Sequence, residues 1–162
     1  MSNPNTCRAA EYAALFVWFP NPEFAMTTLP PITVSSLDSA RLHALLELLP
    51  ASAFAEAEAL ETELARAAVL EPQDMPPDVV TMRSTARFVM QPGGKEFELT
   101  LCYPDELDGS PGKVSVTAPV GSALLGLSVG QSISWPAPGG RQVTVRLQEV
   151  TWQPERAGFL RL

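Results

Sequence analysis

Apolar residues recur first at helical spacing along this chain and later at every second position. Leu42, Leu45, Leu46 and Leu49 stand three and four residues apart, one face of a helix. Ser35-Ser36 offers an N-cap ahead of them, and Asp38 falls in the first turn, where a helix dipole favours an acid. Pro50 stops the run. A second helix is predicted from about Phe54 to Leu70, with Leu60, Leu64, Ala67 and Ala68 on one stripe and Glu71-Pro72 at its end. The joining loop, Pro50-Ala51-Ser52-Ala53, is short. Two amphipathic helices so connected are expected to form an antiparallel hairpin, a small two-stranded coiled coil.

Residues 72–78 are a Pro-rich joint in which neither helix nor strand propagates easily, and the domain boundary is placed there. Beyond it the period becomes two. Val79-Val80-Thr81-Met82 is read as the start of a strand continuing toward Phe88-Val89, and Gln91-Pro92-Gly93-Gly94 as a turn. Phe97, Leu99 and Leu101 then alternate with polar neighbours, a half-buried strand. Tyr103 to Gly112 is a polar loop with three carboxylates, and Lys113–Thr117 a third strand. The stretch 118–133 reads as a short apolar helix, a Gly-punctuated turn and the start of the next strand. Pro138-Gly139-Gly140 turns the chain into a last strand ending near Trp152. The expected architecture is α+β: a leader over 1–30, a helical hairpin over 31–72, and over 78–158 a mainly antiparallel sheet of four or five strands with one short helix.

Charge sharpens this picture. The 162 residues carry a formal net charge of −7, from 11 Lys+Arg against 18 Asp+Glu. Residues 32–72 hold seven of the acids and two bases, Arg41 and Arg66. Such a chain lacks the clustered cations that neutralise phosphates, so protein partners are expected in place of direct, sequence-specific nucleic-acid binding. Cys7 and Cys102 fit no metal spacing or disulfide framework, which suits a reducing, cytoplasmic setting. The apolar run Ala13–Phe19 is too short to span a bilayer. It is read as part of a floppy or non-native leader, with Met26 as an alternative start and a signal peptide as the competing reading.

Catalytic chemistry finds little purchase. Gly121 and Gly126 stand five apart with Ser128 beyond, but a phosphate loop needs Lys after the second Gly and here it is Leu127. His43, the sole histidine, lies one position off the leucine face with no second His or Cys near it, and no Ser sits in a Gly-x-Ser-x-Gly elbow. Asp105, Glu106 and Asp108 lack the calcium-loop spacing. No metal, cofactor or catalytic residue is expected.

Pro119, Ala123-Leu124-Leu125-Gly126, Gly130 and Pro138-Gly139-Gly140 with a closing apolar strand resemble the C-terminal domain of the Gre-type transcript cleavage factors. Met75-Pro76, Asp78–Met82, Tyr103-Pro104 and Ala118–Leu127 look more specifically like the Rnk branch, regulators of nucleoside diphosphate kinase. The resemblance runs over about residues 31–158. Gln131 departs from the Asp usual after that Gly. It implies an FKBP-like C-terminal domain, and binding of a monomer to bacterial RNA polymerase near the secondary channel. Asp105, Glu106, Asp108, Ser115, Pro119 and Leu124 are by position the docking candidates. Gre factors also carry acids at the coiled-coil tip that help hold a catalytic magnesium. The loop at 50–53 has none, and helices of about 14–17 residues reach only about 21–26 Å. The expectation is therefore a polymerase binder that does not promote RNA cleavage. The alternatives are an active cleavage factor and a prolyl isomerase. The isomerase would need a pocket lined by Tyr103, Trp135, Trp152 and Phe88, residues whose ordinary role is core packing.

Overall fold

A computed structural model describes residues 29–137 and 139–162, with the side chains of 135–137 left aside. The expectations for the leader, Cys7 and Met26 included, lie outside the described residues, as does the Trp135 side chain. The first element is a short strand, β1 (Thr33–Ser35), leading into helix α1 (Ser36–Leu48). Ser35 is the N-cap: its Oγ accepts from the Asp38 N–H at 3.1 Å. Leu49 is the C-cap, and Pro50 opens a 3₁₀ turn, Ala51–Ala53, that feeds helix α2 (Phe54–Arg66).

α2 is shorter than its apolar stripe predicts. Ala67 caps it, and Ala68–Leu70 form strand β2, parallel to β1 with Val34 opposite Val69. The stretch of β1 buried by the fold needs a backbone partner, and the Ala68 N–H meets the Ile32 carbonyl at 2.9 Å. Ladder bonds thus outweigh the helical propensity of the two alanines.

The main sheet has the order β5-β4-β3-β7-β6. Its strands are β3 (Thr85–Gln91), β4 (Lys95–Cys102), β5 (Lys113–Ser115), β6 (Ser132–Ala137) and β7 (Arg141–Trp152). Only β4 and β5 pair in parallel. β3 begins later than the Val79–Met82 run suggests, because Arg83 takes a left-handed conformation (φ 63°) that turns the chain. Val79 and Val80 instead lie along the segment after helix α3 (Pro119–Leu124).

That segment joins the two parts of the molecule. The Thr33 N–H donates to the Gly126 carbonyl (3.1 Å), the Gly126 N–H to Val80 (2.8 Å), and the Val80 N–H to Leu127 (3.0 Å). Gly126 has φ +73°, and a Cβ there would stand 2.8 Å from both Ile32 Cβ and the Thr33 carbonyl oxygen. Gln131 supplies a side-chain oxygen to the Ser128 N–H at 2.9 Å, closing the turn at which the resemblance expects Asp.

One core crosses the Pro-rich joint. Val34, Leu42, Leu60 and Leu64 belong to the same cluster as Phe88, Leu101, Leu124 and Leu147. The helices therefore bury their apolar faces against the sheet side of the molecule as well as against each other. No described helix is long and apolar enough to cross a membrane.

Candidate functional site

The candidate surface is built where β4 ends, β5 returns and α3 begins. Tyr103 caps the 3₁₀ turn Pro104–Glu106. Asp105 and Glu106 lie within it and Asp108 just beyond, and the three carboxylates have different partners. Glu106 reaches back to accept from the Tyr103 N–H at 3.0 Å and from Arg83 Nε at 2.7 Å. The Arg83 guanidinium lies 5.2 Å from the Tyr103 ring centroid, so one cation serves both the carboxylate and the ring face. Asp108 pairs with Lys113 Nζ at 2.8 Å and accepts from the Ser110 N–H at 3.0 Å. The bonds from Lys113 and Ser110 hold its carboxyl well below the usual carboxylate range, and the bond to Asp108 raises the Lys113 ammonium in turn. Asp105 is exposed and has no salt-bridge partner among the described residues. Glu106 and Asp108 thus shape the loop, and Asp105 carries its uncompensated charge.

The remaining candidates divide by depth. Pro119 is exposed at the first turn of α3, where a missing N–H costs nothing. Ser115 is 7% exposed, and its Oγ bonds Thr117 Oγ1 at 2.8 Å and accepts the Thr117 N–H at 3.2 Å. Leu124 is 1% exposed, among the core residues. It supports α3 from beneath and presents no contact to a partner. Beside Pro119 a groove of about 400 Å³ runs between α2 and α3, lined by Ala55, Ala59, Thr117, Ala123 and Ile133, with Glu56 and Glu63 among its lining residues.

Asp38 has a larger role than a first-turn acid on a solvated helix. It is 3% exposed, accepts the Met82 N–H at 3.3 Å, and stands 3.5 Å from the Tyr103 hydroxyl. Burial raises its pKa against the lowering by Met82, Ser35, Arg41 and Arg83. Burial, with the nearby Asp38 charge, also pushes the Tyr103 hydroxyl up. Asp38 therefore ties α1 to the two turns that frame the acidic loop. The alternation of apolar residues gives no sign of this link; an acid two residues inside a capped helix end was the only cue.

Among the described residues the chemically reactive side chains stand apart from one another. Among the described residues no cluster of three His, Cys, Asp or Glu could hold a metal. His43 is exposed, its Nδ1 2.7 Å from the Ser39 carbonyl oxygen of its own helix. Cys102 is a buried free thiol, its pKa raised by desolvation. Tyr103 and Phe88 are in the core cluster, whereas Trp152 is 39% exposed and pairs with Phe159 at 6.4 Å between ring centroids.

Two family models cover this architecture in sequence. The Rnk N-terminus matches residues 30–70, and the C-terminal part of the transcription elongation factors GreA and GreB matches residues 75–151. The regulator of nucleoside diphosphate kinase of Escherichia coli strain K12 is 43% identical over 129 residues, covering 80% of this chain and 95% of that protein. The chain belongs to the Rnk family. Its relation to Gre factors is narrower in sequence: GreA of Thermodesulfovibrio yellowstonii is 38% identical over 79 residues, about half of each chain (49% and 50%). Among solved structures, a GreA/GreB transcription elongation factor from Nitrosomonas europaea aligns with a TM-score of 0.60 and 52% identity, over 76% of this chain and 99% of that one. In this Rnk-family chain the apolar Ala118–Leu127 segment that carries the resemblance links β1 to Val80 through Gly126 and Leu127, and Pro119 opens its helix.

Proposed function

We propose that this Rnk-family chain regulates transcription by binding bacterial RNA polymerase as a cytoplasmic monomer, docking near the secondary channel without stimulating RNA cleavage. The sheet part, read as FKBP-like, supplies the docking face through Asp105 and Pro119. Glu106 and Asp108 hold the loop, and Ser115 fixes the turn into α3. An exposed proline and an unpaired acid suit a partner surface that is apolar in one part and basic in another.

The observation that carries the non-cleaving part is the turn between α1 and α2. Residues 50–53 hold no carboxylate, and the nearest acids, Glu47 and Glu56, stand on the helices. Each helix has 13 residues, a reach of about 20 Å. A metal cannot be delivered to a distant centre by a tip that has no ligands for it.

The test is a backtracked polymerase with labelled RNA. Addition of this chain leaves the RNA at full length, while a Gre cleavage factor shortens it. Shortened RNA with this chain alone overturns the reading.

A further inference from the structure

The groove of about 400 Å³ between α2 and α3 differs in character from the acidic loop. Ala59, Ala123 and Ile133 line it, and so do Leu29, the first described residue, and Pro119. Leu29 is 40% exposed there, so the chain that precedes it arrives at the groove. Residues 1–28 lie outside the described residues, but their sequence carries an apolar segment matched to such a surface. Ala13-Ala14-Leu15-Phe16-Val17-Trp18-Phe19 is an unbroken apolar run, and the nine residues Pro20 to Thr28 connect it to Leu29. Nine residues span up to about 30 Å when extended, enough to turn the run back onto the groove. Apolar surface left in water costs about 25 cal/mol per Å², for the run and for the groove alike. Charge points the same way. Arg8, the single cation of residues 1–28, stands ahead of the run, and Glu56 is an exposed acid among the groove's lining residues.

We propose that Ala13–Phe19 of this same chain occupies the groove and in doing so covers the Pro119 part of the docking face. Phe16 and Trp18 bring the largest apolar area to Ala59, Ala123 and Ile133. Tethering selects this occupant. A nine-residue connection holds the run at about millimolar effective concentration, so it fills the groove ahead of a free segment of equal intrinsic affinity at about micromolar concentration. A partner that uses Pro119 must displace the run, and its apparent affinity falls by the fraction of chains in which the groove is open. The covering rests on the polymerase reading for the displaced partner; the occupancy of the groove does not.

The experiment irradiates the full chain with p-benzoylphenylalanine in place of Phe16 and maps the cross-links by mass spectrometry. The expected products are monomers joined to the peptides that contain Ala59 and Ala123. Ala59→Arg puts a long charged side chain into the groove from an exposed position, so the thermal melt stays in place while the yield of those products falls several-fold. Cross-links confined to other peptides, or a yield indifferent to Ala59→Arg, overturn the proposal. A cross-linked dimer through the same peptides assigns the groove to the run of a second copy and also overturns it. Anisotropy with bacterial core RNA polymerase then tests the covering. Phe16→Ser with Trp18→Ser is expected to bind several-fold more tightly than wild type, because the competing occupant is gone. Equal affinity of the two chains overturns the covering. Absence of binding by both overturns it together with the polymerase reading, and the cross-links decide the occupant by themselves.

Discussion

Gly121→Ala is expected to destabilise the protein by about 3 kcal/mol or more, the upper end for forcing volume into a packed site. Gly121 lies inside α3, directly over the end of β5. A Cβ added there would stand 1.8 Å from the Ser115 carbonyl oxygen and 2.7 Å from its carbonyl carbon. Both are backbone atoms, so no rotamer change relieves the overlap. Either α3 lifts or β5 moves, and β5 is held to β4 through Leu101↔Val114 and Cys102↔Ser115. Lifting α3 would withdraw Ala123 and Leu124 from the core and displace Pro119. Urea unfolding measures the loss, with Gly112→Ala as the comparison. A Cβ at Gly112 meets nothing within 4 Å, so that variant is expected to stay within about 0.5 kcal/mol of wild type. Equal stability of the two variants would remove the close packing of α3 on β5 from the account.

Leu60→Ala carries the second large effect. Leu60 is fully buried, at 0% exposure, in the cluster that also contains Leu42, Phe88 and Leu101. Truncation removes its transfer free energy and leaves a cavity, for a cost of about 2–5 kcal/mol. Because the cluster spans both sides of the Pro-rich joint, the helices and the sheet are expected to unfold together. Far-UV circular dichroism follows the helices, and, in a background with Trp18→Phe and Trp135→Phe, Trp152 fluorescence follows the last strand. The two probes should give one midpoint in wild type and one lowered midpoint in the variant. A Trp152 transition that stays in place while the helical signal falls would show two independent units.

The reasons why parts of this fold were legible in the sequence are local. Leu42 to Leu49, the Ser35 cap and Pro50 define α1 through interactions within a few residues, and these survive into the fold. The alternation at Phe97, Leu99 and Leu101 marks β4 for the same reason. The misplaced boundaries fall where distant partners decide. Ala68–Leu70 leave the helix because β1 needs a ladder partner thirty-odd residues away. Val79–Met82 have strand-like composition but turn at Arg83, whose left-handed backbone composition does not signal. The docking loop shows the same division. Three carboxylates are visible in the sequence, but their roles depend on partners at a distance: Arg83 for Glu106, Lys113 for Asp108, and none for Asp105. Pro119 is legible as a helix start, whereas the depth of Leu124 and the burial of Asp38 depend on how α1, α3 and the Met82 turn meet.

On the proposed function, the sheet part docks on RNA polymerase through its acidic loop. Its most direct test is the equilibrium affinity of the full chain for core polymerase, in wild type and in Asp105→Lys with Asp108→Lys, at moderate salt. Reversal removes the free acid and releases Lys113 from its pair, turning the loop positive against a basic rim. Affinity is expected to fall at least about tenfold, with a flatter dependence on salt. Unchanged affinity in the variant would contradict it.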